Sequence, residues 1–346
     1  MRRLIVLSCL LSLLLNCEDA LAAEPPPTLA LVLLAAFPSP TNTPSPIILP
    51  VVTPLPHIPR PMFGPLSTMT PVPSLIQTSG PTPTPSTTLS LTPSRQSNFF
   101  LERPIAQGQG RANWVDRSYP YGGTQFGQRE VHLGVEFFNP RFTPVLASAE
   151  GVVFYAGDDS QTPIGPTTNY YGRLVIIRHN AFSAEGLPIF TLYGHLQETA
   201  VETGQPVLVG QLIGKVGDSG IAEGPHLHFE VRVGDPLDYR NTRNPELYLK
   251  PYRGFGLLVG RVYSRSGAPV EGLVVLVRSN ALRREAYVYG SSRVRSDAAW
   301  GENFTLGDLP ANTYEVVAIE RSGRALARRT VTLEAGRAAW VELEIE

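Results

Sequence analysis

The sequence contains almost no cysteine, no dense basic block and no apolar run long enough to cross a membrane. Its two cysteines, Cys9 and Cys17, both lie near the N-terminus, before the cleavage site predicted below. Disulfide bonds and thiolate metal sites are therefore excluded from the mature chain that we expect. The formal net charge is −1, and basic residues are not interleaved with aromatic residues. This composition does not support nucleic-acid binding, so we expect no nucleic-acid partner.

The first residues, 1–22, have the pattern of a secretory signal peptide. Two arginines precede the apolar run 4–15, and a small-residue cleavage pattern ends at Ala22. The run is too short for a spanning helix, so we expect no stable membrane span in the mature chain. The pattern predicts a secreted or cell-envelope protein, extracellular or periplasmic. Lipoprotein anchoring at Cys17 is the alternative, although Asn16 stands where a lipoprotein box has a small residue.

Residues 23–97 differ sharply in composition from the rest of the chain. More than half of the chain's 33 prolines fall here, together with many Thr and Ser residues. Glu24, Arg60 and Arg95 are the charged residues of the segment, and its apolar residues show no sustained period. This composition predicts a disordered, extended linker rather than a folded domain.

Regular structure is expected from residue 98 onward and consists of β-strands. Short β-branched runs alternate with Gly, Pro and Asn turns, and no stretch sustains a helical period. A first module, 98–252, has strands predicted at 150–157, 172–180, 188–196, 210–217 and 226–233. A second module, 255–346, has strands at about ten-residue spacing, which predicts a small sandwich. The predicted fold class is all-β, an antiparallel sheet with a groove followed by a C-terminal β-sandwich.

The segment Gly-Pro-His-Leu-His-Phe-Glu places two histidines two residues apart in a predicted strand. His226 and His228 would project from one face, about 6.5–7 Å apart along the strand. Leu227 and Phe229 would point the opposite way, toward the core. The pair could bind a metal ion and act on a substrate beside it. Two hydrogen-bonded histidines on a polar sheet face explain the pattern equally well, so the pair alone decides nothing.

His132 and Glu136, in Val-His-Leu-Gly-Val-Glu, are residue types that zinc accepts as ligands. In a straight strand they would stand about 13 Å apart, too far to share an ion. A shared site therefore requires a bend, and Gly134 is the residue that would permit one. His195, in Tyr-Gly-His-Leu, adds a histidine at the end of an apolar strand. A hydrogen-bonded structural role is its alternative.

In chain order, the segments with His132 and Glu136, with His195, and with His226 and His228 resemble the LytM/lysostaphin-type zinc metallopeptidases, whose fold is the duplicated hybrid motif. The resemblance covers about residues 120–240. It implies Zn²⁺ as the cofactor and an antiparallel β-sheet groove as the fold. It further implies the roles of the five residues, which are zinc ligation by His132, Glu136 and His228 and catalysis by His195 and His226. The family's third ligand is normally an aspartate, so Glu136 departs from its pattern.

The resemblance implies a secreted zinc metalloendopeptidase that hydrolyses peptide bonds in bacterial cell-wall peptidoglycan, with peptidoglycan peptides as its substrate. The alternative, favoured by Glu136, is a catalytically degenerate module that binds the cell wall or activates a partner wall hydrolase. Residues 255–346 resemble carboxypeptidase-regulatory-like sandwiches in Gly-Arg-Val-Tyr-Ser and Phe-Thr-Leu-Gly-Asp-Leu-Pro, which implies no chemistry. The sequence leaves the cleaved bond and the oligomeric state unknown.

Overall fold

The strands of this protein form three β-sheets in the computed structural model. The structure describes residues 98–108, 110–125, 127–290 and 292–346, all of which belong to one compact unit of the chain. The predicted signal peptide and the predicted linker lie outside the described residues. Within the described part, no helix is long and apolar enough to cross a membrane.

The first sheet contains nine strands among the described residues. The strands are β1 (Val135–Phe138), β2 (Pro144–Leu146), β3 (Gly151–Asp158), β4 (Arg173–Phe182), β5 (Pro188–Thr199), β6 (Pro206–Val207), β7 (Leu212–Val216), β8 (His226–Val233) and β9 (Thr242–Arg243). The sheet has the order β1-β8-β5-β4-β3-β6, while β2 pairs with β7, β7 with β5, and β9 with β8, and all of these pairs are antiparallel. A short 3₁₀ helix follows at Pro245–Leu247. The five strands predicted in this region are confirmed as β3, β4, β5, β7 and β8.

Strand β4 shows why this sequence forms a sheet that is covered on both faces. Its β-branched run alternates between two hydrophobic clusters, since successive side chains of a strand point to opposite faces. Val175 and Ile177 enter the main core, whereas Leu174 and Ile176 enter a smaller cluster that also contains Tyr171.

The remaining seven strands form two further sheets that face each other across one core, and we call this part the sandwich. The strands are β10 (Phe255–Ser264), β11 (Val274–Arg278), β12 (Arg283–Tyr287), β13 (Phe304–Pro310), β14 (Asn312–Ile319), β15 (Ala325–Leu333) and β16 (Ala338–Ile345). One sheet has the order β13-β10-β16 and the other β12-β11-β14-β15. Val262 and Phe304 of the three-stranded sheet share a core with Val277 and Val316 of the four-stranded sheet. The predicted all-β fold class is confirmed.

The first sheet and the sandwich share buried contacts. Tyr289, Val294 and Trp300 of the sandwich belong to the same hydrophobic cluster as Phe229 of β8. Arg103, which precedes the first sheet, pairs with Asp308 of β13 at 2.5 Å. The sandwich is therefore packed onto the first sheet by both apolar and charged contacts.

Candidate metal centre

Three side chains that the sequence predicts as metal ligands meet at one point. The Glu136 Oε1 atom lies 2.8 Å from His132 Nε2 and 3.0 Å from His228 Nδ1. The two imidazole nitrogens are 3.4 Å apart. Among the described residues, these three are the group of His and acidic side chains arranged closely enough to hold a metal ion.

Strand register and a bend in the chain produce this meeting. In the β1–β8 pair, Glu136 stands directly opposite His228. His132 precedes β1, and the chain bends at Gly134 between them. A Cβ atom at Gly134 would lie 2.6 Å from His228 Cε1 and Nε2, and 2.8 Å from the Phe229 carbonyl oxygen. Glycine is therefore required here, because any side chain would displace the His228 ring.

The three residues fit a zinc ion. Tetrahedral coordination with bonds of about 2.0–2.2 Å separates neighbouring donor atoms by about 3.3 Å. The observed separations of 2.8, 3.0 and 3.4 Å are close to that spacing. The other carboxylate oxygen, Glu136 Oε2, is buried and makes no hydrogen bond to a described residue. Two imidazoles and one carboxylate leave a fourth position open, as catalytic zinc sites do.

The charges at this point favour a cation. Burial alone would lower the pKa of His228, but the carboxylates of Glu136 and Glu230 raise it to about 10. Burial acts to raise the pKa of Glu136, yet the imidazoles of His228 and His132 hold it well below its usual range. Without a metal, the cluster therefore keeps a proton on His228. A divalent ion would displace this proton, since a metal binds the neutral imidazole.

A buried network fixes the orientation of the His228 ring. Its Nε2 lies 3.0 Å from Glu230 Oε1. Tyr171 donates its hydroxyl hydrogen to the same oxygen, and Arg232 Nε donates to Glu230 Oε2 at 2.6 Å. Burial acts to raise the pKa of Glu230, but the charge of Arg232 and the hydrogen bond from His228 hold it at about 2. The ionised Glu230 thus accepts from Nε2, which leaves Nδ1 free to face Glu136.

His132 is oriented by stacking instead. The Tyr119 ring lies parallel to its imidazole, with the ring centres 4.2 Å apart and the planes inclined by 6°. Its Nδ1 is buried and has no hydrogen-bond partner among the described residues. The contact with Tyr119 therefore replaces the hydrogen bond that usually fixes a ligating histidine.

His195 and His226 lie together beside the three candidate ligands. Their ring centres are 4.8 Å apart, and His195 is 5.7 Å from the ring of His228. His195 Nδ1 lies 2.8 Å from the Ser219 carbonyl oxygen, and His226 Nδ1 lies 2.9 Å from that of Gly224. A carbonyl oxygen can only accept, so Nδ1 carries the hydrogen in both rings. Each ring therefore keeps its Nε2 for chemistry.

The surroundings of His195 keep it neutral. Burial is the main cause that lowers the pKa of this imidazole, and the neighbouring His228 lowers it further. The charge of Glu136 acts in the opposite direction, and the pKa settles at about 4. The residue also has φ of +59°, an unusual conformation for a side chain with a Cβ. Such strain is common where a side chain is held in a functional position.

The structure thus brings together all five residues singled out in the sequence. It also adds four that sequence reasoning missed, namely Tyr119, Tyr171, Glu230 and Arg232. Glu230 could have been found, because it lies two residues beyond His228 on the same strand and therefore on the same face. His179, a further histidine, is instead bonded to the Glu150 carbonyl oxygen at 2.9 Å and to Thr191 Oγ1 at 2.7 Å.

The sequence model of Peptidase family M23 matches residues 130–241, which contain β1 to β8 and all five site residues. These residues form an M23 peptidase domain. The predicted LytM-type peptidase domain is thereby confirmed.

Two curated proteins resemble part of this chain. Cell division protein DipM of Caulobacter vibrioides is 36% identical over 151 residues, covering 42% of this chain and 22% of DipM. Peptidoglycan DD-endopeptidase ShyC of Vibrio cholerae is 35% identical over 121 residues, covering 35% of this chain and 24% of ShyC. The chain therefore spans less than a quarter of the length of these relatives.

Among solved structures, this chain is similar to the catalytic domain of the prophage-encoded M23 protein EnpA from Enterococcus faecalis, which was crystallised as a point mutant. The identity is 26% and the TM-score is 0.33. The similarity covers 42% of this chain and 95% of the EnpA domain.

Proposed function

We propose that the M23 domain is a zinc endopeptidase that hydrolyses peptide bonds in bacterial cell-wall peptidoglycan. The observation that carries the proposal is the convergence of His132, Glu136 and His228, with His195 and His226 beside them. Peptidoglycan as the substrate is supported by the name of ShyC, a peptidoglycan DD-endopeptidase. The predicted signal peptide supports action outside the cytoplasm, in the cell envelope or the medium.

His132, Glu136 and His228 are the residues that would hold the ion. When bound, zinc supplies a Lewis acid that polarises the scissile carbonyl group and makes a water molecule more acidic. His228 would contribute Nδ1, because its Nε2 is bound to Glu230. The negative charge of Glu136 would balance part of the charge of the cation in a site where all three candidate ligands are buried.

His195 is the group that accepts the proton of the attacking water. Its Nδ1 hydrogen is used by the Ser219 carbonyl oxygen, so the lone pair of Nε2 is available. With a pKa of about 4, that lone pair stays unprotonated at neutral pH until the water gives up its proton. The same Nε2 then carries the proton to the leaving amine.

His226 is the group that stabilises the developing negative charge on the carbonyl oxygen. Its Nε2 lies 3.4 Å from Glu136 Oε2 and therefore faces the point where the three candidate ligands meet. A donor fixed in a buried site stabilises an oxyanion strongly, because no solvent has to reorganise around it. His195 and His226 therefore have different tasks although they are neighbours.

The test uses the full chain and four variants. We expect His228→Ala to lose zinc and hydrolysis together, whereas His195→Ala and His226→Ala keep zinc and lose about 100-fold or more in rate. His179→Gln is the matched control, a buried histidine of the same sheet, and it should retain both properties. Zinc is measured by elemental analysis and hydrolysis by the release of peptides from purified peptidoglycan.

Glu136 favours a second candidate function, because it stands where the resembled family has an aspartate. In this alternative the domain binds the cell wall or activates a partner hydrolase and does not cleave peptides itself. The same experiment separates the two, because a chain that binds zinc and releases no peptide would contradict the endopeptidase. A chain that binds no zinc after reconstitution would contradict the metal site itself.

A further inference from the structure

His132 is carried by a stretch of chain that precedes β1, and we call this stretch the arm. The arm consists of residues 116–125 and 127–132. At its start, the Asp116 backbone N–H donates to the Glu136 carbonyl oxygen at 2.9 Å. His132 is the last residue of the arm. The arm therefore begins beside the candidate ligand Glu136 and ends at the candidate ligand His132.

Within the arm, a turn at Gly122 and Gly123 holds the backbone of His132 from both sides. The Gly122 N–H donates to the His132 carbonyl oxygen at 2.7 Å, and the His132 N–H donates to the Gly123 carbonyl oxygen at 2.9 Å. Tyr119, also in the arm, stacks on the imidazole. The position of the His132 ring therefore follows the position of this turn.

The turn rests on a tyrosine of the sandwich. A Cβ atom at Gly122 would lie 2.6 Å from Tyr289 Cβ and 2.7 Å from its Cδ1. Tyr121 meets the Tyr289 ring edge to face, with ring centres 5.6 Å apart. Tyr289 is itself fixed, because its N–H donates to the Asn303 carbonyl oxygen at 2.9 Å and its hydroxyl donates to Glu302 Oε1 at 2.7 Å.

The start of the arm is tied to the sandwich as well. Arg117 donates from one guanidinium nitrogen to Glu246 Oε1 at 2.7 Å and from another to the Gly307 carbonyl oxygen at 3.0 Å. Glu246 Oε2 in turn accepts from the Gly307 N–H at 2.6 Å. Gly307 lies in β13 of the sandwich. Two separate contacts thus hold the arm, one at Arg117 near its start and one at the Gly122 turn that is bonded to His132.

We propose that the sandwich supports the metal centre by fixing the position of His132. Through Tyr289 and Gly307 it holds the arm that brings His132 to Glu136 and His228. Tyr289 is a positioning residue, since it acts on the ion only through the arm. This inference rests on the zinc site proposed above, and it gives the sandwich a role in metal affinity rather than in substrate binding.

Gly122→Ala and Gly127→Ala form a matched pair that isolates the contact. Both glycines have positive φ, +75° and +85°, so alanine is strained at either position. A Cβ atom at Gly122 would clash with Tyr289, whereas at Gly127 nothing lies within 4 Å. We expect zinc to bind about 10- to 100-fold more weakly to Gly122→Ala than to Gly127→Ala, as for other residues that support metal ligands. The dissociation constant of zinc is measured on the full chain by competition with a chelator.

A second set of variants approaches the contact from the sandwich. Tyr289→Leu removes the ring that supports Gly122, and Tyr289→Phe keeps it. Tyr314→Leu is the control, because Tyr314 is equally buried but belongs to the separate core of the sandwich. We expect Tyr289→Leu to weaken zinc binding and to accelerate hydrogen exchange of the His132 amide in the metal-free chain. Tyr289→Phe loses the bond to Glu302 but keeps the ring and the backbone bond to Asn303, so it should show a much smaller effect than Tyr289→Leu. Tyr314→Leu should show neither effect.

The outcomes separate this inference from the proposed function. Equal zinc affinity and equal amide exchange in all variants would overturn the role of the sandwich while leaving the peptidase intact. A wild-type chain that binds no zinc would overturn the metal site, and the exchange of the His132 amide would still decide whether Tyr289 supports the arm. If Gly122→Ala does not fold, the Tyr289 variants carry the test.

Discussion

At the scale of the residue, the length of the Glu136 side chain matches the distance from its backbone to the two imidazoles. Glu136 Oε1 reaches two imidazole nitrogens, His132 Nε2 at 2.8 Å and His228 Nδ1 at 3.0 Å. The Cα atom of Glu136 cannot move closer, because β1 is paired in register with β8 along its whole length. The glutamate is therefore built into the geometry of the strand pair.

We expect Glu136→Asp to weaken zinc binding and to slow hydrolysis together. The aspartate oxygen would fall about 1 Å short, while zinc–oxygen distances tolerate only about 0.2 Å. The loss in affinity should be about tenfold or more and is measured by chelator competition, with peptide release followed in parallel. Glu136→Ala should be poor in both assays. A faster Glu136→Asp enzyme would contradict this argument and favour the degenerate-module function.

Local patterns in the sequence could single out the five site residues, but not how they are held. The ligand residues could be recognised in the sequence, because zinc binds few side-chain types. Gly134 could be recognised as well, because a shared site requires a bend between His132 and Glu136. Tyr119 could not be recognised in the sequence, because a tyrosine in a turn-rich stretch can have many roles. Its stacking on His132 depends on the turn at Gly122 and Gly123, which brings the two residues together. The pairing of His228 with Glu230 follows from strand periodicity and could have been predicted.

At the scale of the element, a buried acid stands just before β13. Glu302 is fully buried and accepts from the Tyr289 hydroxyl at 2.7 Å and from the Asp297 backbone N–H at 3.0 Å. Burial and the charge of Asp297 raise its pKa from 4.5 to about 8, against the hydrogen bond from Tyr289. In the unfolded chain the same group ionises near its ordinary value.

We expect Glu302 to make the fold less stable as the pH rises from about 4.5 to about 8. Over this range the acid ionises in the unfolded chain but not in the folded one, so the free energy of unfolding falls. The loss is at most about 5 kcal/mol and should be complete above pH 8. Chemical denaturation of wild type and Glu302→Gln across this range measures it. A constant difference between the two at every pH would show that Glu302 does not titrate in this way.

Strand positions were largely predictable, whereas the ties between elements were not. The run Arg-Leu-Val-Ile-Ile in β4 predicts a strand, because β-branched residues pack well on a pleated sheet. The bond from Arg117 to Gly307 joins residues 190 apart in the sequence. A contact of that range leaves no periodic pattern in the sequence. The sequence therefore predicted the two modules but not the contacts by which the sandwich holds the arm.

At the scale of the whole molecule, the first sheet and the sandwich share one hydrophobic cluster. Tyr289, Val294 and Trp300 pack with residues of the first sheet, and charged pairs such as Arg103 with Asp308 reinforce the contact. Inter-domain contacts that are small and polar allow relative motion, but a shared buried cluster opposes it.

We expect the full chain to unfold in one calorimetric transition, and zinc to raise its midpoint as a whole. A ligand that binds only the folded state stabilises it by about 2.7 kcal/mol at a hundred times its dissociation constant. Trp300 and Trp340 lie in the sandwich, so their fluorescence, measured in a Trp114→Phe chain, should report the zinc effect at a distance from the candidate ligands. Two transitions, with zinc moving only one, would mean that the parts unfold independently.

The arm also has a consequence for the order in which a ribosome makes this protein. All three candidate ligands have been synthesised once residue 228 is added, but Tyr289 and Gly307, which hold the arm, follow much later. A chain that ended before the sandwich would therefore contain the three candidate ligands without the two contacts that hold the arm. We expect such a shortened chain to bind zinc more weakly than the full chain.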